Sequence, residues 1–248
     1  MSLLESKTAI VTGCNRGIGK AILQKFAENG ADVFAVIREK NDDFSQFCEE
    51  LMNKNSVRIV IICADFSDEN EVKKAVKDIM SYKVTIDVLV NNVGVSLPLK
   101  SIVMTGMDTI KNVFQVNFFS HMLFTQFILR KMINLKNGSI IFITSSAAFD
   151  GGANLEYCAS KAAIIGAVRR LAVEMGNFNI RVNAVAPGLT DTDIVNNMGI
   201  NYIEEAISKN IMKRIGDVFE IADAVLFLAS QMSTFITGQV LRVDGGLL

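Results

Sequence analysis

Short apolar runs alternate with stretches of helical periodicity from one end of the chain to the other. In the helical stretches, apolar residues recur every three or four positions, as on a helix with one buried face. The apolar runs predict strands at residues 7–12, 32–37, 57–63, 87–90, 139–144, 180–185 and 239–243. Runs that are apolar throughout are typical of parallel strands buried on both faces. We therefore predict an α/β fold with a doubly wound, seven-stranded parallel sheet and helices on both faces.

Length and composition indicate a single domain over residues 1–248. Half of the 248 residues are hydrophobic, there are two prolines, and neither a linker-like segment nor an internal repeat is present. The longest helical pattern extends from Asp108 to Met132, and a second long helix ends near Met175. Residues 190–215 show little regular pattern, and we interpret them as a mobile helical flap.

Charge and rare residue types argue against several classes of function. The formal net charge is −1 and there is no basic tract, so we expect no nucleic-acid partner. No apolar run is long enough for a membrane span. The four cysteines lack metal-binding spacing and no signal peptide is visible, so we expect a cytoplasmic protein without a metal. A single histidine, His121, makes a Ser-His-Asp triad hard to build, and we expect it to form an interhelical contact.

A glycine-rich turn follows the first predicted strand. Gly13, Gly17 and Gly19 separate this strand from a helical pattern that reaches Gly30. Such a turn lets backbone N–H groups approach a pyrophosphate, and the helix N-terminus supplies favourable charge. The spacing G-x-x-x-G-x-G differs from the usual dinucleotide fingerprint, and a lone glycine turn also serves simple tight packing.

Tyr157 and Lys161 lie four residues apart in a helical pattern, so their side chains share one face. A nearby ammonium favours the phenolate, and we expect the pKa of Tyr157 to lie below its usual value near ~10. Such a tyrosine can donate or accept a proton in carbonyl reduction or alcohol oxidation. The pair alone decides nothing, because Tyr-x-x-x-Lys also arises by chance on amphipathic helices.

Residues of chemical interest follow six of the predicted strands. In a doubly wound sheet, ligands bind beyond the carboxyl ends of the strands. The residues at these ends are the turn Gly13–Gly19, Arg38, Asp65, Asn91, Ser145 and the pair Pro187–Gly188. Their coincidence on one edge of the sheet predicts a single ligand-binding crevice.

In their order and separations, these motifs resemble the short-chain dehydrogenase/reductase family, and the likeness covers essentially the whole chain. The matching elements are Thr12-Gly13-x-x-x-Gly17-Ile18-Gly19, Asn91-Asn92-x-Gly94, Asn117, Ser145, Tyr157-x-x-x-Lys161, Asn183, Pro187-Gly188 and Asp244-Gly245-Gly246. An ordered match of many motifs is highly specific. The resemblance implies a Rossmann fold and an oxidoreductase with a nicotinamide cofactor.

The resemblance implies four catalytic residues. Tyr157 would be the general acid of a reduction, and Lys161 would lower the tyrosine pKa and hold the nicotinamide ribose. Ser145 would hydrogen-bond the substrate carbonyl, and Asn117 would hold a water that relays protons behind Lys161. The interval from Ser145 to Tyr157 is one residue shorter than is common in the family, which leaves Ser146 as an alternative. Counting along the preceding strand favours Ser145.

The cofactor-binding residues that the resemblance implies, besides Tyr157 and Lys161, are Gly13, Asn15, Arg16, Gly17, Ile18, Gly19, Arg38, Asp65, Phe66, Asn91, Val93, Gly94, Pro187, Gly188, Thr190 and Thr192. An acidic residue that closes the second strand would bind the ribose hydroxyls of NAD. Ile37 and Arg38 occupy that place, and Arg16 lies in the glycine turn on the same side. Two guanidinium groups favour the extra phosphate of NADP. Glu39 opposes this, and we expect it to face solvent. We therefore predict NADP(H).

Three functions compete. The chain is most similar to 3-oxoacyl-(acyl-carrier-protein) reductases, which predicts NADPH-dependent reduction of an acyl-thioester carbonyl in fatty acid biosynthesis, with acyl carrier protein as a candidate partner. Lys136 supplies one expected carrier-docking base, but Phe178 stands where another is expected. The alternative is a reductase or dehydrogenase of a sugar, polyol or other small ketone or alcohol. A regulatory protein on the same fold would normally have lost Tyr157 or Lys161, and both are present.

The resemblance further implies a homotetramer. Four phenylalanines surround the helix of Asn117 on more than one face: Phe118, Phe119, Phe124 and Phe127. This is more apolar surface than one sheet covers. The chain also ends in two leucines. We predict a D2 tetramer, whose two-fold interfaces would bury both regions.

Overall fold

A seven-stranded parallel sheet forms the centre of the computed structural model, which describes residues 2–192 and 200–246. Strands β1 to β7 comprise Thr8–Thr12, Asp32–Ile37, Ile59–Cys63, Val88–Asn91, Gly138–Ile143, Ile180–Pro187 and Val240–Val243. The strand order is β3-β2-β1-β4-β5-β6-β7, and every neighbouring pair is parallel. The predicted strands are confirmed, with ends that differ by one or two residues.

Helices pack on both faces of this sheet. Helices α1 to α9 comprise Gly17–Glu28, Asp42–Asn55, Glu69–Ser81, Met107–Phe114, Ser120–Leu135, Ala147–Asp150, Leu155–Met175, Ile200–Lys209 and Val218–Ala229. One apolar core joins the sheet to α1, α2 and α9, and a second core joins its other face to α3, α5 and α7. Alternate side chains of each strand enter opposite cores, as in Ile10 and Val11 of β1. The prediction of a doubly wound sheet is therefore confirmed.

The long helix predicted from Asp108 to Met132 is interrupted. Helix α4 ends at Phe114, a π-helical turn spans Gln115–Phe119, and α5 begins at Ser120. Single π turns occur frequently at functional sites, and this one contains Asn117.

Helix α8 gives regular structure to part of the flap predicted over residues 190–215. Residues 193–199 of that flap lie outside the described residues, and its mobility stays a prediction. Among the helices of the described ranges, none has the length and apolar character needed to cross a membrane.

The strand order reverses at the neighbouring strands β1 and β4. The chain builds β1, β2 and β3 outward in one direction and then returns to place β4 on the other side of β1. Helices leaving β1 and β4 therefore diverge and open a crevice at the carboxyl ends of these strands. This is the position at which the sequence predicts the ligand site.

Candidate active site

A cavity of about 1060 Å³ opens at the carboxyl ends of the strands. Its size is at the upper end of the usual ~300–1,000 Å³ range of ligand sites. The predicted catalytic and cofactor-binding residues all line it, except Asn91 and Asn117. The sheet edge thus brings nearly the whole predicted constellation into one crevice.

The glycine turn lies where a side chain would not fit. Gly13 and Gly17 have φ values of +68° and +51°, in the left-handed region that favours glycine. A Cβ atom at Gly19 would lie 2.1 Å from the Gly13 carbonyl oxygen and 2.5 Å from Asn92 Nδ2. Helix α1 begins in this turn, at Gly17, so its N-terminal N–H groups face the cavity. The turn therefore fits a pyrophosphate, which needs close backbone approach and exposed N–H groups.

Hydrogen bonds join the glycine turn to the end of β4. The buried Thr12 hydroxyl donates to the Val90 carbonyl (3.3 Å) and accepts from the Asn92 and Val93 N–H groups at 2.9 and 3.3 Å. The Asn92 amide Nδ2 donates to the carbonyls of Thr12 and Gly13, at 2.9 and 3.0 Å. The two turns at the strand switch therefore form one connected unit.

Helix α7 and the end of β5 bring Tyr157 and Ser145 together. Both residues line the cavity wall, and Ser145 is the hydrogen-bonding neighbour that lowers the pKa of Tyr157. Ser146 has a different place: its N–H donates to the Pro187 carbonyl at 2.9 Å, and the residue precedes α6. Of the two candidate serines, therefore, Ser145 is the one that neighbours the Tyr157 hydroxyl.

Lys161 lies one turn after Tyr157 and is almost completely buried. Its Nζ donates to the Ile143 carbonyl at 2.9 Å and lies 5.8 Å from the centre of the Tyr157 ring. Burial lowers the pKa of Lys161 to about 8. The lysine therefore carries a charge at neutral pH, inside the cavity wall.

The pKa of Tyr157 is shifted in the opposite direction to the one predicted. Burial raises it above the usual value of 10.0, and the hydrogen bond with Ser145 opposes this rise. The prediction assumed that the ammonium of Lys161 lies against the phenol, whereas here it is bonded to the Ile143 carbonyl. A protonated tyrosine at neutral pH is suited to donating a proton, as a reduction requires.

The buried charge of Lys161 predicts a pH-dependent stability. The lysine pKa is about 8 in the folded chain and 10.5 in an ordinary environment, so the unfolded chain binds more protons between these values. The free energy of unfolding should therefore rise with pH across this window, by about 3 kcal/mol from this group. Lys161→Met should lack this rise.

Urea unfolding of both proteins at several pH values from below 8 to 10.5 measures the difference. We expect the variant to lose stability relative to the original protein as pH increases. A difference that stays constant over the window would contradict the assignment of a buried, charged lysine.

Asn117 supports the cavity wall from behind. It is fully buried, its Oδ1 accepts from the Val95 N–H at 2.8 Å, and its Nδ2 donates to the Val95 carbonyl (3.0 Å) and to Ser160 Oγ (3.1 Å). The side chain thus fixes the segment after β4 and contacts the catalytic helix through Ser160. The water-holding role of Asn117 stays a prediction.

Asn91 is also buried behind the cavity. Its Nδ2 lies 2.9 Å from Thr125 Oγ1, and its Oδ1 lies 3.2 Å from Nδ1 of His121. The other imidazole nitrogen, Nε2, lies 2.7 Å from the Val93 carbonyl. The predicted interhelical contact of His121 is therefore wrong in its main partners, because both ring nitrogens face the end of β4.

Two arginines lie at the end of the cavity formed by the glycine turn and β2. Arg16 and Arg38 are both exposed and both line the cavity. Ile37 is buried in the core, and Glu39 is exposed and does not line the cavity. The expectation that Glu39 faces solvent agrees with this position.

Asp65 stands near Arg38 at the end of β3. Hydrogen bonds from the Ser67 N–H and hydroxyl, both 2.8 Å, and the charge of Arg38 lower the pKa of this carboxyl. The aspartate is therefore a fixed acceptor on the same wall as the arginine.

Sequence reasoning missed Asn154, which anchors the loop beside the cavity. Its Nδ2 donates to the carbonyls of Leu97 and Pro98 at 2.9 and 3.0 Å, and its Oδ1 accepts from the Lys100 N–H at 2.9 Å. The available signal was an asparagine directly before a helix, a preferred capping position. Here the side chain holds the loop instead of capping α7.

The terminal Asp-Gly-Gly segment closes the cavity from the side of α8. Asp244 lines the cavity, and the carbonyls of Gly245 and Gly246 accept from the N–H groups of Met212 and Ile211 at 3.0 and 3.1 Å. These bonds hold the chain after α8, and α8 itself contributes to the wall. Asn183, another residue of the matched motifs, contacts Ile236 and Gln239 and is structural.

Known proteins share both the sequence and the fold. The family model described as enoyl-(acyl carrier protein) reductase matches residues 13–248. A 3-oxoacyl-(acyl-carrier-protein) reductase of Chlamydia trachomatis serovar D is 38% identical over 257 residues, covering 99% of this chain and 98% of that protein.

Two solved structures are similar over nearly their full length. One is a 3-oxoacyl-(acyl-carrier protein) reductase with bound NAD from Brucella melitensis, with a TM-score of 0.88, 32% identity and coverage of 99% and 92%. The other is a putative NAD(P)-dependent gluconate 5-dehydrogenase from Beutenbergia cavernae with bound NADP, with a TM-score of 0.90, 29% identity and coverage of 98% and 96%. The family-model match, the full-length relatives and the shared fold together show that this chain is an oxidoreductase of the short-chain dehydrogenase/reductase family.

Proposed function

We propose that the protein is an NADPH-dependent 3-oxoacyl-(acyl-carrier-protein) reductase of fatty acid biosynthesis. The single observation that carries this is one cavity with the Tyr157–Ser145 pair on its wall and two arginines, Arg16 and Arg38, at its cofactor end. The similarity to reductases of this activity supports the choice of substrate. Four free cysteines suit a reducing compartment, and we infer the cytoplasm.

The catalytic roles follow from the positions of the side chains. Ser145 and Tyr157 together would hold the substrate carbonyl oxygen, and Tyr157 would donate its proton as negative charge develops there. Lys161, fixed by the Ile143 carbonyl, would place a positive charge behind the tyrosine and next to the nicotinamide ribose. The bound nicotinamide cofactor supplies the hydride.

The family uses NAD or NADP, and we infer NADP(H) for this chain. The glycine turn would hold the pyrophosphate, because helix α1 begins there and its first residues, Gly17, Ile18 and Gly19, line the cavity. Arg16 and Arg38 would bind the 2′-phosphate, and no acidic side chain of β2 faces that position, since Ile37 closes the strand.

The surface on which an acyl carrier protein would dock lacks a basic residue at one expected position, Phe178. Phe178 is partly buried and packs against the core of α3, α5 and α7, so it offers no charge for docking. Lys136 and Arg169 are exposed, whereas Arg170 pairs with Glu174 at 2.7 Å. The absence of a base at Phe178 is the specific observation that favours the alternative, a sugar, polyol or small-ketone reductase.

A reduction assay with NADPH tests the substrate. Acetoacetyl-acyl carrier protein, acetoacetyl-coenzyme A, a set of sugars and a set of simple ketones are compared by kcat/KM. We expect kcat/KM to be higher for the acetoacetyl thioesters than for the sugars and ketones. Of the two thioesters, the one on acyl carrier protein should have the higher kcat/KM. Turnover of sugars or ketones without turnover of either thioester would establish the alternative instead.

We also propose a homotetramer. The four phenylalanines near Asn117 support it less than the sequence predicts, because most of them are covered within the subunit. Phe124 is fully buried in the core and Phe118 and Phe127 are partly buried, which leaves Phe119 as the half-exposed phenylalanine of this helix. Exposed apolar residues elsewhere support assembly instead, among them Phe235, which precedes the last strand in the chain. The terminal leucines of the prediction lie outside the described residues.

Deletion of the chain from Gly245 onward should weaken assembly and activity together. The deletion removes the carbonyls that hold Met212 and Ile211 beside α8, so the cavity wall loses support within the subunit as well. Light scattering at micromolar protein reports the assembly, and NADPH-dependent reduction reports the site. A fully active monomer of the original chain would contradict the proposed tetramer, and a fully active deletion variant would contradict the link between assembly and activity.

A further inference from the structure

The segment after β4 is held at two points, by a side chain of the π turn and by one near the start of α5. The Val95 N–H and carbonyl both bond to the side chain of Asn117, at 2.8 and 3.0 Å. The Val93 carbonyl lies 2.7 Å from Nε2 of His121. Asn117 and His121 therefore both face the segment after β4. Gly94 lies between the two residues that are held, Val93 and Val95.

The contact between His121 and Val93 identifies the protonated nitrogen. His121 is buried, and burial together with the neighbouring Lys161 ammonium lowers the pKa of the imidazole to about 3. A neutral imidazole carries a single N–H. Because a carbonyl oxygen can only accept, the 2.7 Å contact requires the hydrogen on Nε2.

The peptide between Val93 and Gly94 then has a fixed direction. The peptide is trans, so the Gly94 N–H points away from the carbonyl that His121 holds. His121 lies behind the cavity, whereas Val93 and Gly94 line it. Within the described ranges, the Gly94 N–H has no protein acceptor. A Cβ atom at Gly94 would lie only 3.2 Å from Lys161 Nζ, so the position of this peptide also sets the space beside the ammonium.

We propose that His121 is a positioning residue that turns the Gly94 N–H into the cavity as a hydrogen-bond donor to the bound dinucleotide. The inference rests on the proposed cofactor site. The contact between His121 and the Val93 carbonyl is the basis of this role.

The same tautomer also decides how the amide of Asn91 is turned. With the hydrogen on Nε2, Nδ1 of His121 must accept, yet it faces the Asn91 carbonyl oxygen at 3.2 Å. A half-turn of the amide places its NH₂ group toward Nδ1 and its oxygen toward the Thr125 hydroxyl, which can donate. The result is a chain of donors from Thr125 through Asn91 and His121 to Val93, in which each bond strengthens the next.

Nitrogen NMR of protein with ¹⁵N-labelled histidine tests the tautomer directly. The chain has one histidine, so the imidazole signals belong to His121 without further assignment. We expect a neutral ring protonated at Nε2 at pH 7 and a change in its signals when NADPH is added. A ring protonated at Nδ1, or a charged imidazole at pH 7, would overturn the proposal.

Two substitutions test the consequence for binding. His121→Gln keeps an N–H donor at a similar reach, whereas His121→Leu has a similar volume and no donor. We expect NADPH affinity to fall about tenfold in the leucine variant and to stay within about twofold in the glutamine variant. The KM for NADPH should follow the affinity while kcat changes little, which a general loss of structure would not produce.

Thermal unfolding of each variant shows whether folded proteins are being compared. If the leucine variant does not fold, the NMR measurement of the tautomer in the original chain tests the proposal. Equal NADPH affinity of a folded leucine variant and the original chain would refute the role of His121. Failure of the original chain to bind NADPH would instead refute the proposed cofactor, so the two failures are distinguishable.

Discussion

Replacement of Tyr157 by phenylalanine is expected to lower the rate of carbonyl reduction by about 10²-fold or more, while NADPH still binds. The change removes one hydroxyl and keeps the ring, so the packing of α7 is preserved. Lys161 is held by the Ile143 carbonyl rather than by the phenol, and its position should not change. The variant therefore loses the proton donor and the bond to Ser145 but retains the cofactor site.

Single-turnover reduction of an acetoacetyl thioester at saturating NADPH measures the loss, and fluorescence titration measures the cofactor affinity. Cys158→Ala is a matched control, because Cys158 is the next residue of the same helix and does not line the cavity. It should reduce substrate at the original rate. Unchanged turnover of the phenylalanine variant would show that another group donates the proton.

The second large effect concerns the choice of cofactor. NADPH should bind at least tenfold more tightly than NADH, about 1.4 kcal/mol, because Arg16 and Arg38 both line the cofactor end of the cavity. Arg38→Asp should reverse the order, a change of about 10²-fold in the ratio of affinities. The new carboxylate would repel the 2′-phosphate and accept from the ribose hydroxyls of NADH.

Titration of both cofactors with both proteins gives the ratio. Since the guanidinium of Arg38 is exposed, the preference for NADPH should shrink as salt concentration increases. Glu39→Gln is the control, because Glu39 is the adjacent charged residue and does not line the cavity. Equal affinities of the original chain for NADPH and NADH would contradict the inference from the two arginines.

Much of the fold could be predicted because its determinants are local. The central parallel strands are buried on both faces, so they appear in the sequence as apolar runs, as in Ile140–Ile143. The order of such strands along the chain also places their carboxyl ends on one edge. This is why residues as distant as Gly13 and Ser145 could be assigned to one crevice before their contacts were known.

The features of the site that could not be predicted depend on which hydrogen-bond partners the long side chains reach. The sequence places Lys161 one turn from Tyr157, but it does not show that Nζ reaches the Ile143 carbonyl, and the predicted direction of the tyrosine pKa was therefore wrong. Likewise, Asn117 is visible as an odd polar residue in an apolar helix, yet the π turn around it has no sequence pattern. Asn91 was assigned to the cofactor, and its side chain instead faces Thr125 and His121.

The hydrogen bonds between Thr12 and the β4 turn have a consequence for the thermodynamics of cofactor binding. They hold the glycine turn in one conformation as part of the folded core, since Thr12 is fully buried. A preorganised turn loses little conformational entropy when a pyrophosphate binds. Cofactor affinity is thereby coupled to the stability of the junction between two strands. Damage to that junction would weaken affinity through an entropic term, without removing any atom that touches the cofactor.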